Sequence, residues 1–227
     1  VGTTPGGHER FPGYDVVGQA GTWDPVTQGV VLRRLGPPPK VRFFTEDEEA
    51  VCRPLLDRLL AQDAEPFIPV FELIDARLAE DETDGWRYED MPPDADAWKR
   101  SLAALDQDSR QRFGEPFSQL DVEHQNALLE AVRTADRWFG LPAPRLWSLW
   151  MRYACAAFYS HPWAWNEIGF GGPAYPRGYE NIGLDKREHW EVPEVGARDP
   201  EPWSSRVERA RRRQRRAELD EPARHAI

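Results

Sequence analysis

The sequence predicts an all-α protein, an irregular helical bundle, and three observations carry that reading. Five segments between residues 45 and 158 repeat apolar residues at helical spacing, no segment inside that stretch has the alternation of a strand, and the connectors between the five are short. To the bundle the sequence adds an extended N-terminal arm, a long aromatic Gly/Pro loop and a basic C-terminal tail. The organisation read from it is an arm over residues 1–44, a helical domain over 45–183 and an extended, basic tail over 184–227. A chain of 227 residues is long enough to bury one good core, so one domain with extended ends is the expectation.

The arm is rich in Gly, Pro and Thr and ends at Pro37-Pro38-Pro39. Two β-prone pieces, Tyr14-Asp15-Val16-Val17 and Gly29-Val30-Val31-Leu32, suggest a small hairpin that reverses near Trp23-Asp24-Pro25. An isolated two-stranded ribbon is marginal in water, so the arm is expected to lie on the body or on a partner.

Helical spacing begins at Thr45. Thr45 and Glu48 have the spacing of a capping box, and Val51, Leu55, Leu56, Leu59 and Leu60 form the first apolar stripe, with Pro54 expected to kink the helix or shift its first turn. A second helix follows Pro69 with Phe71, Ile74 and Leu78 on one face, and residues 81–93 read as a linker. Asp94 is placed to cap a third helix bearing Trp98, Leu102 and Leu105; Asp121 is placed to cap a fourth bearing Gln125, Leu128, Leu129 and Val132. The fifth segment, 145–158, is apolar nearly all round through Leu146, Trp147, Leu149, Trp150, Met151 and Tyr153. That pattern marks a central buried helix or one covered by another chain.

Directly after it comes the segment 158–183, FYSHPWAWNEIGFGGPAYPRGYENIG. Pro162, Pro173 and Pro176 remove backbone donors and Gly169, Gly171, Gly172 and Gly178 loosen the chain, so the expectation is a loop with neither helix nor central strand. Loops this long are uncommon without a purpose, and this one is loaded with the residue types enriched at interface hot spots. The candidate partner-binding residues are His161, Trp163, Trp165, Asn166, Glu167, Phe170, Tyr175, Arg177 and Tyr179. A loop folded back on its own core fits the same composition. Asn166 and Glu167 are expected to hold the loop by side-chain bonds to its backbone.

Composition narrows the function. The net charge of −10 argues against nucleic-acid binding. Acidic residues concentrate between residues 45 and 94, whereas seven arginines crowd positions 206–216, either as a solvated tail or as an arm for an acidic surface. Mean hydropathy is −0.69 and no stretch approaches the roughly 18–20 apolar residues of a membrane helix. No export signal is read, since Arg33-Arg34 is followed by Leu35-Gly36-Pro37 rather than by an apolar run. The expectation is a cytoplasmic chain, or one exported with its partner where a signal has been removed.

No constellation for catalysis is found. Cys52 and Cys155 are too few for a closed zinc site, an iron–sulfur ligand set or haem attachment. The five histidines are scattered. Gly169-Phe-Gly171-Gly-Pro-Ala174 fits a dinucleotide fingerprint formally, but no strand precedes it and Pro173 and Pro176 forbid the helix it needs. Asp81, Asp84 and Gly85 suggest a calcium loop by composition alone, without the ligand spacing or distal glutamate. The reading is therefore no catalytic, metal-binding or cofactor-binding residue in this chain.

Several of these segments, in order, resemble one family. Thr45-Glu46-Asp47-Glu48, Phe71-Glu72-Leu73-Ile74-Asp75 with Leu78, Phe117-Ser118-Gln119-Leu120-Asp121 running to Leu128-Leu129, and finally Trp165-Asn166-Glu167-Ile168-Gly169-Phe170 are similar to the small subunit of gluconate 2-dehydrogenase-type sugar and polyol dehydrogenases. The resemblance covers roughly residues 43–183. It implies a subunit without a redox cofactor that supports the folding, export or stability of a large FAD-containing flavoprotein of the glucose-methanol-choline type, with room for a cytochrome in the complex. It also implies that the histidine base of alcohol oxidation belongs to the large subunit, which leaves His161 structural or interfacial. Relatives with a twin-arginine signal on this subunit differ from the sequence as read here. The alternative is a stand-alone carbohydrate-binding module in which Trp163, Trp165, Tyr175 and Tyr179 stack on a sugar ring.

Overall fold

The computed structural model describes residues 10–63, 67–183 and 186–195. The chain divides into two compact units, Val1–Glu194 and Val195–Ile227. The account below concerns the first; the arginine-rich run at 206–216 lies outside the described residues.

The unit is helical, as the periodicity predicts. Its α-helices are α1 Pro25–Arg33, α2 Glu46–Leu60, α3 Val70–Ala79, α4 Asp94–Phe113, α5 Val122–Thr134, α6 Ala143–Ser160 and α7 Pro162–Ile168, with 3-10 turns at Val16–Thr22 and Phe117–Gln119. A two-residue antiparallel ladder pairs β1 Arg137–Trp138 with β2 Leu141–Pro142, closed through Phe139 and Gly140, both at positive φ.

Local chemistry accounts for most helix starts. Thr45 Oγ1 accepts from the Glu48 amide while Glu48 returns a carboxylate to the Thr45 amide, a complete capping box on α2. Asp121 Oδ1 accepts from the His124 amide at 2.8 Å to cap α5. Two expectations are corrected. Asp94 does not cap α4: it is the first helical residue, Pro93 precedes it without a side-chain cap, and the Asp94 carboxylate turns inward to the Tyr153 hydroxyl instead. Pro54 does not shift the first turn of α2, which starts at Glu46 and continues through the proline to Leu60; the carbonyl it leaves without a donor belongs to Ala50, which is exposed and can be hydrated.

α6 is the centre of the bundle, packed against α2, α3, α4 and α5. Leu146, Leu149, Trp150, Tyr153, Ala154 and Phe158 face the core, where they meet Trp98, Leu102 and Leu105 from α4 and Leu55 and Leu56 from α2. A buried tryptophan removes roughly 150–250 Å² from water, about 4–6 kcal/mol before chain entropy is charged against it at 25 cal/mol/Å²; Trp98 and Trp150 are both fully buried. Two buried indoles of this core have side-chain partners, Trp150 Nε1 donating to Ser101 Oγ at 3.1 Å and Trp138 Nε1 to Asp108 Oδ2 at 3.0 Å, whereas among the described residues Trp98 Nε1 has none. Asp75, with no exposure, accepts from the amides of Arg42, Phe43 and Phe44 at 2.6, 2.9 and 2.9 Å, fixing the chain as it enters α2.

The N-terminal arm is not a hairpin. Asp15 caps the 3-10 turn through the Val17 amide, and Asp24 caps α1 through the amides of Val26 and Thr27, with Pro25 at the first helical position. Asp-Pro there starts a helix rather than the expected reversal, because a proline at that position gives up an amide the helix does not use. Tyr14, Val16, Ala20, Trp23 and Val31 form a second, smaller core whose remaining member is Trp165, from α7.

Candidate functional site

The segment 158–183 begins more regularly than its prolines suggest. α6 continues through Ser160, and after a single extended residue, His161, the chain enters α7. Pro162 is the first residue of α7 and so breaks nothing; Gly169, in the left-handed region, ends it with its amide directed back to the carbonyls of Asn166 and Trp165. The pair His-Pro at one end and glycine at the other was the available sequence signal. Only beyond Gly169 is the segment irregular, and there the Tyr175–Pro176 bond is cis.

His161 caps α7: its Nδ1 accepts from the Trp163 amide at 3.3 Å. It is 3% exposed, and burial holds its pKa down at about 4, so the ring stays neutral at ordinary pH. Arg34, at the end of α1, donates from Nη1 to the Ser160 carbonyl at 2.8 Å and ties the arm to this corner.

The arm clasps α7 from the other side. Asn166 Oδ1 accepts from the Val16 amide at 2.8 Å, and Trp165 lies among Tyr14, Val16 and Trp23 with its Nε1 donating to the Tyr159 carbonyl at 2.7 Å. Tyr14 donates its hydroxyl to the Phe170 carbonyl at 3.2 Å; burial raises its pKa to about 12 against the opposing pull of Arg177. Asn166 therefore does hold backbone, as expected, but that of the arm rather than of its own loop. Among the described residues the Glu167 side chain makes no such bond.

Aromatic rings from distant segments then press on the loop glycines. A Cβ on Gly171 would lie 2.0 Å from Trp190 Cζ3, and one on Gly172 would lie 2.5 Å from Trp23 Cζ2; Phe11 covers Gly169 in the same way. These glycines are needed for close approach as much as for flexibility. Arg177 completes the brace: its guanidinium stacks 4.0 Å from the centroid of Trp190, and Nη2 donates to the Gly171 carbonyl at 3.1 Å. Trp190 is held in turn by a clip in which Glu188 accepts from the amides of Glu180 and Asn181 at 2.8 and 2.7 Å. Those amide bonds, with Asn181 first, draw the Glu188 pKa below the usual carboxylate value.

The nine candidate residues thus divide. His161, Trp165 and Asn166 are buried within the chain; Trp163, Glu167 and Arg177 are half-buried; Phe170, Tyr175 and Tyr179 reach the surface, Tyr175 at 71% exposure. Ile168 and Ile182, absent from the nine candidates, join them as exposed apolar positions, and Tyr159 at the end of α6 is a third. Phe11, Trp23, Glu188 and Trp190, which brace the loop, were also missed: nothing in their own neighbourhoods announces a partner so remote in sequence. Among the described residues no group of three or more His, Cys, Asp or Glu side chains could hold a metal ion, and no helix is long and apolar enough to cross a membrane.

Fold and loop together define a small helical protein with an aromatic loop braced from within and open at its rim. Residues 46–172, more than half of the chain, match the family model described as gluconate 2-dehydrogenase subunit 3. The chain belongs to that family, whose name makes it an accessory subunit of a dehydrogenase complex. No curated protein matches the chain. No solved structure matches it either.

Proposed function

We propose that this chain is a non-catalytic small subunit that binds and stabilises, or assists the maturation or export of, a large FAD-dependent oxidoreductase of the glucose-methanol-choline type acting on a sugar, polyol or related alcohol. The flavin, the catalytic base and any cytochrome belong to the other subunits, and this chain carries no cofactor. The observation that carries the reading is the exposure of Ile168, Phe170, Tyr175, Tyr179 and Ile182 on a segment whose glycines are braced from the inside. Large apolar side chains standing in water on a rigid support favour association, because little ordering entropy remains to be lost on docking. An obligate pair built on it belongs to the interface class above about 2,000 Å².

A sugar-stacking module finds less support. Trp165, one of the four rings it requires, lies inside the arm's core at 6% exposure.

Co-expression with the large subunit tests the proposal. Phe170→Ala and Tyr175→Ala are expected to lower the yield of co-purified complex while leaving turnover per bound flavin nearly unchanged. A stoichiometric chromophore retained by this chain alone, or loss of turnover in a fully assembled variant complex, overturns it.

A further inference from the structure

Residues 80–93 leave α3 and cross beside α6 before entering α4. Asp81, at a φ of 53°, makes the turn. Arg77 holds the segment through Nε to the Glu82 carbonyl at 3.0 Å and through an ion pair with Asp84; Arg152 of α6 reaches Asp84 Oδ2 at 2.9 Å. The result is a fixed ledge carrying Trp86, which is 49% exposed.

Trp86 is a wall shared by two cavities. The smaller contains Arg152, whose guanidinium lies 4.5 Å from the Trp86 ring centroid, together with Tyr88 and Arg145. The larger, about 350 Å³, is lined by Leu78, Asp81, Glu82, Trp86, Arg87 and Asp94, among others, and not by Arg152. The ring therefore has one side engaged by a cation and another open to a cleft in which three carboxylates outnumber one guanidinium. The Asp94 side chain is 8% exposed, and it uses only Oδ2, for the Tyr153 hydroxyl at 2.7 Å and Arg152 at 3.5 Å. Among the described residues Oδ1 of this nearly buried group accepts no hydrogen bond, and neither do the carboxylates of Asp81 and Glu82. These carboxylate oxygens are left to solvent on the cleft side, so the cleft offers acceptors and is short of positive charge and of N–H groups.

We propose that this cleft receives an arginine side chain of the dehydrogenase's large subunit, a second contact of the assembly put forward above and dependent on that reading. A guanidinium supplies what the cleft lacks: a flat cation for the free side of Trp86 and a fork of donors for Asp94 Oδ1 and for Asp81 or Glu82. The chain uses the same pairing internally, with Arg53 at 4.3 Å from Phe71, Arg145 at 3.7 Å from Tyr88 and Arg177 at 4.0 Å from Trp190. A metal ion is a poorer occupant, since the carboxylates do not converge as a ligand group. Continuity with the loop argues for the large subunit as the source. Arg152, which backs the Trp86 wall of the cleft, and Tyr159 are seven residues apart on one face of α6, about 10 Å along the axis, so one partner can reach both the cleft and the exposed Tyr159.

Two measurements on the full chain test this. Titration with ethylguanidinium is expected to shift the Trp86 indole N–H resonance saturably, and the double variant Asp81→Asn/Glu82→Gln is expected to lose the shift; both side chains are exposed and without partners, so the fold is retained. Absence of a saturable shift in the parent protein overturns the proposal. In co-purified complex the double variant is expected to weaken association about tenfold, with a smaller salt dependence than the parent. Unchanged association overturns the proposal while leaving the accessory-subunit reading standing, whereas a parent chain that binds no large subunit while ethylguanidinium still titrates Trp86 overturns that reading and the assignment of the occupant with it.

Discussion

The backbone amide of Val16 donates to Asn166 Oδ1 at 2.8 Å, joining positions 150 residues apart in a buried site. Through this bond the arm and α7 become one unit. Asn166→Ala leaves the Val16 amide without an acceptor, an expected loss of about 1–3 kcal/mol. Amide hydrogen exchange should show it first as faster exchange across residues 14–23, with α2–α6 unchanged. Uniform acceleration through the bundle would mean that the arm and core do not open separately.

Gly171→Ala sets a methyl group against the Trp190 ring, at a position where φ itself is no obstacle. The expected destabilisation is about 1–3 kcal/mol. The double variant with Trp190→Ala should be no less stable than Trp190→Ala alone, because the clash then has no second party. A urea-unfolding double-mutant cycle measures this coupling, and simple additivity would refute the close approach.

His161 links stability to pH. Its pKa is about 4 in the fold, below the ordinary value of 6.5, so folding favours the neutral ring. The contribution is complete above about pH 6.5 and is lost as pH falls from there toward 4, amounting to about 1–3 kcal/mol. His161→Asn keeps an acceptor for the Trp163 amide without titrating in that range. Thermal unfolding across pH 4–7 should therefore be flatter for the variant than for the parent.

Asp75→Ala removes the acceptor of three backbone amides at once. Each bond to a buried carboxylate is worth about 1.5–3 kcal/mol, and the amides of Arg42, Phe43 and Phe44 would be left pointing at a cavity. A loss of about 3 kcal/mol or more is expected in urea unfolding. Phe44→Leu, which keeps the amide and changes only packing, should be milder.

Tyr175→Ser with Ile182→Ser acts on the outside of the loop, where neither side chain belongs to the two buried cores. Stability of the isolated chain should change by less than about 0.5 kcal/mol, while its solubility rises and co-purification with a large subunit falls. Light scattering of the chain alone beside pull-down yield separates the effects. Unchanged solubility and unchanged pull-down together would show that these exposed side chains dock nothing.

What the sequence determined alone is what neighbouring residues decide among themselves. The capping box of Thr45 and Glu48, the Asp121 cap and the stripes on α2–α6 are interactions within a few residues, and they stand where the periodicity places them. The family is legible for the same reason, since its segments are short local patterns in a fixed order. Tertiary structure decided the rest. Asp94 has the sequence position of a cap, yet its carboxylate goes to Tyr153, 59 residues on, because a buried hydroxyl offers a stronger partner than a solvated helix end. Whether Trp165 faces a partner or its own chain depends on Tyr14, Val16 and Trp23, and the glycines of the loop take their meaning from Trp23 and Trp190. Composition records that such rings must be covered. Only the folded chain, by bringing remote segments into contact, determines which of them it covers itself and which, like Phe170 and Tyr175, it leaves in water.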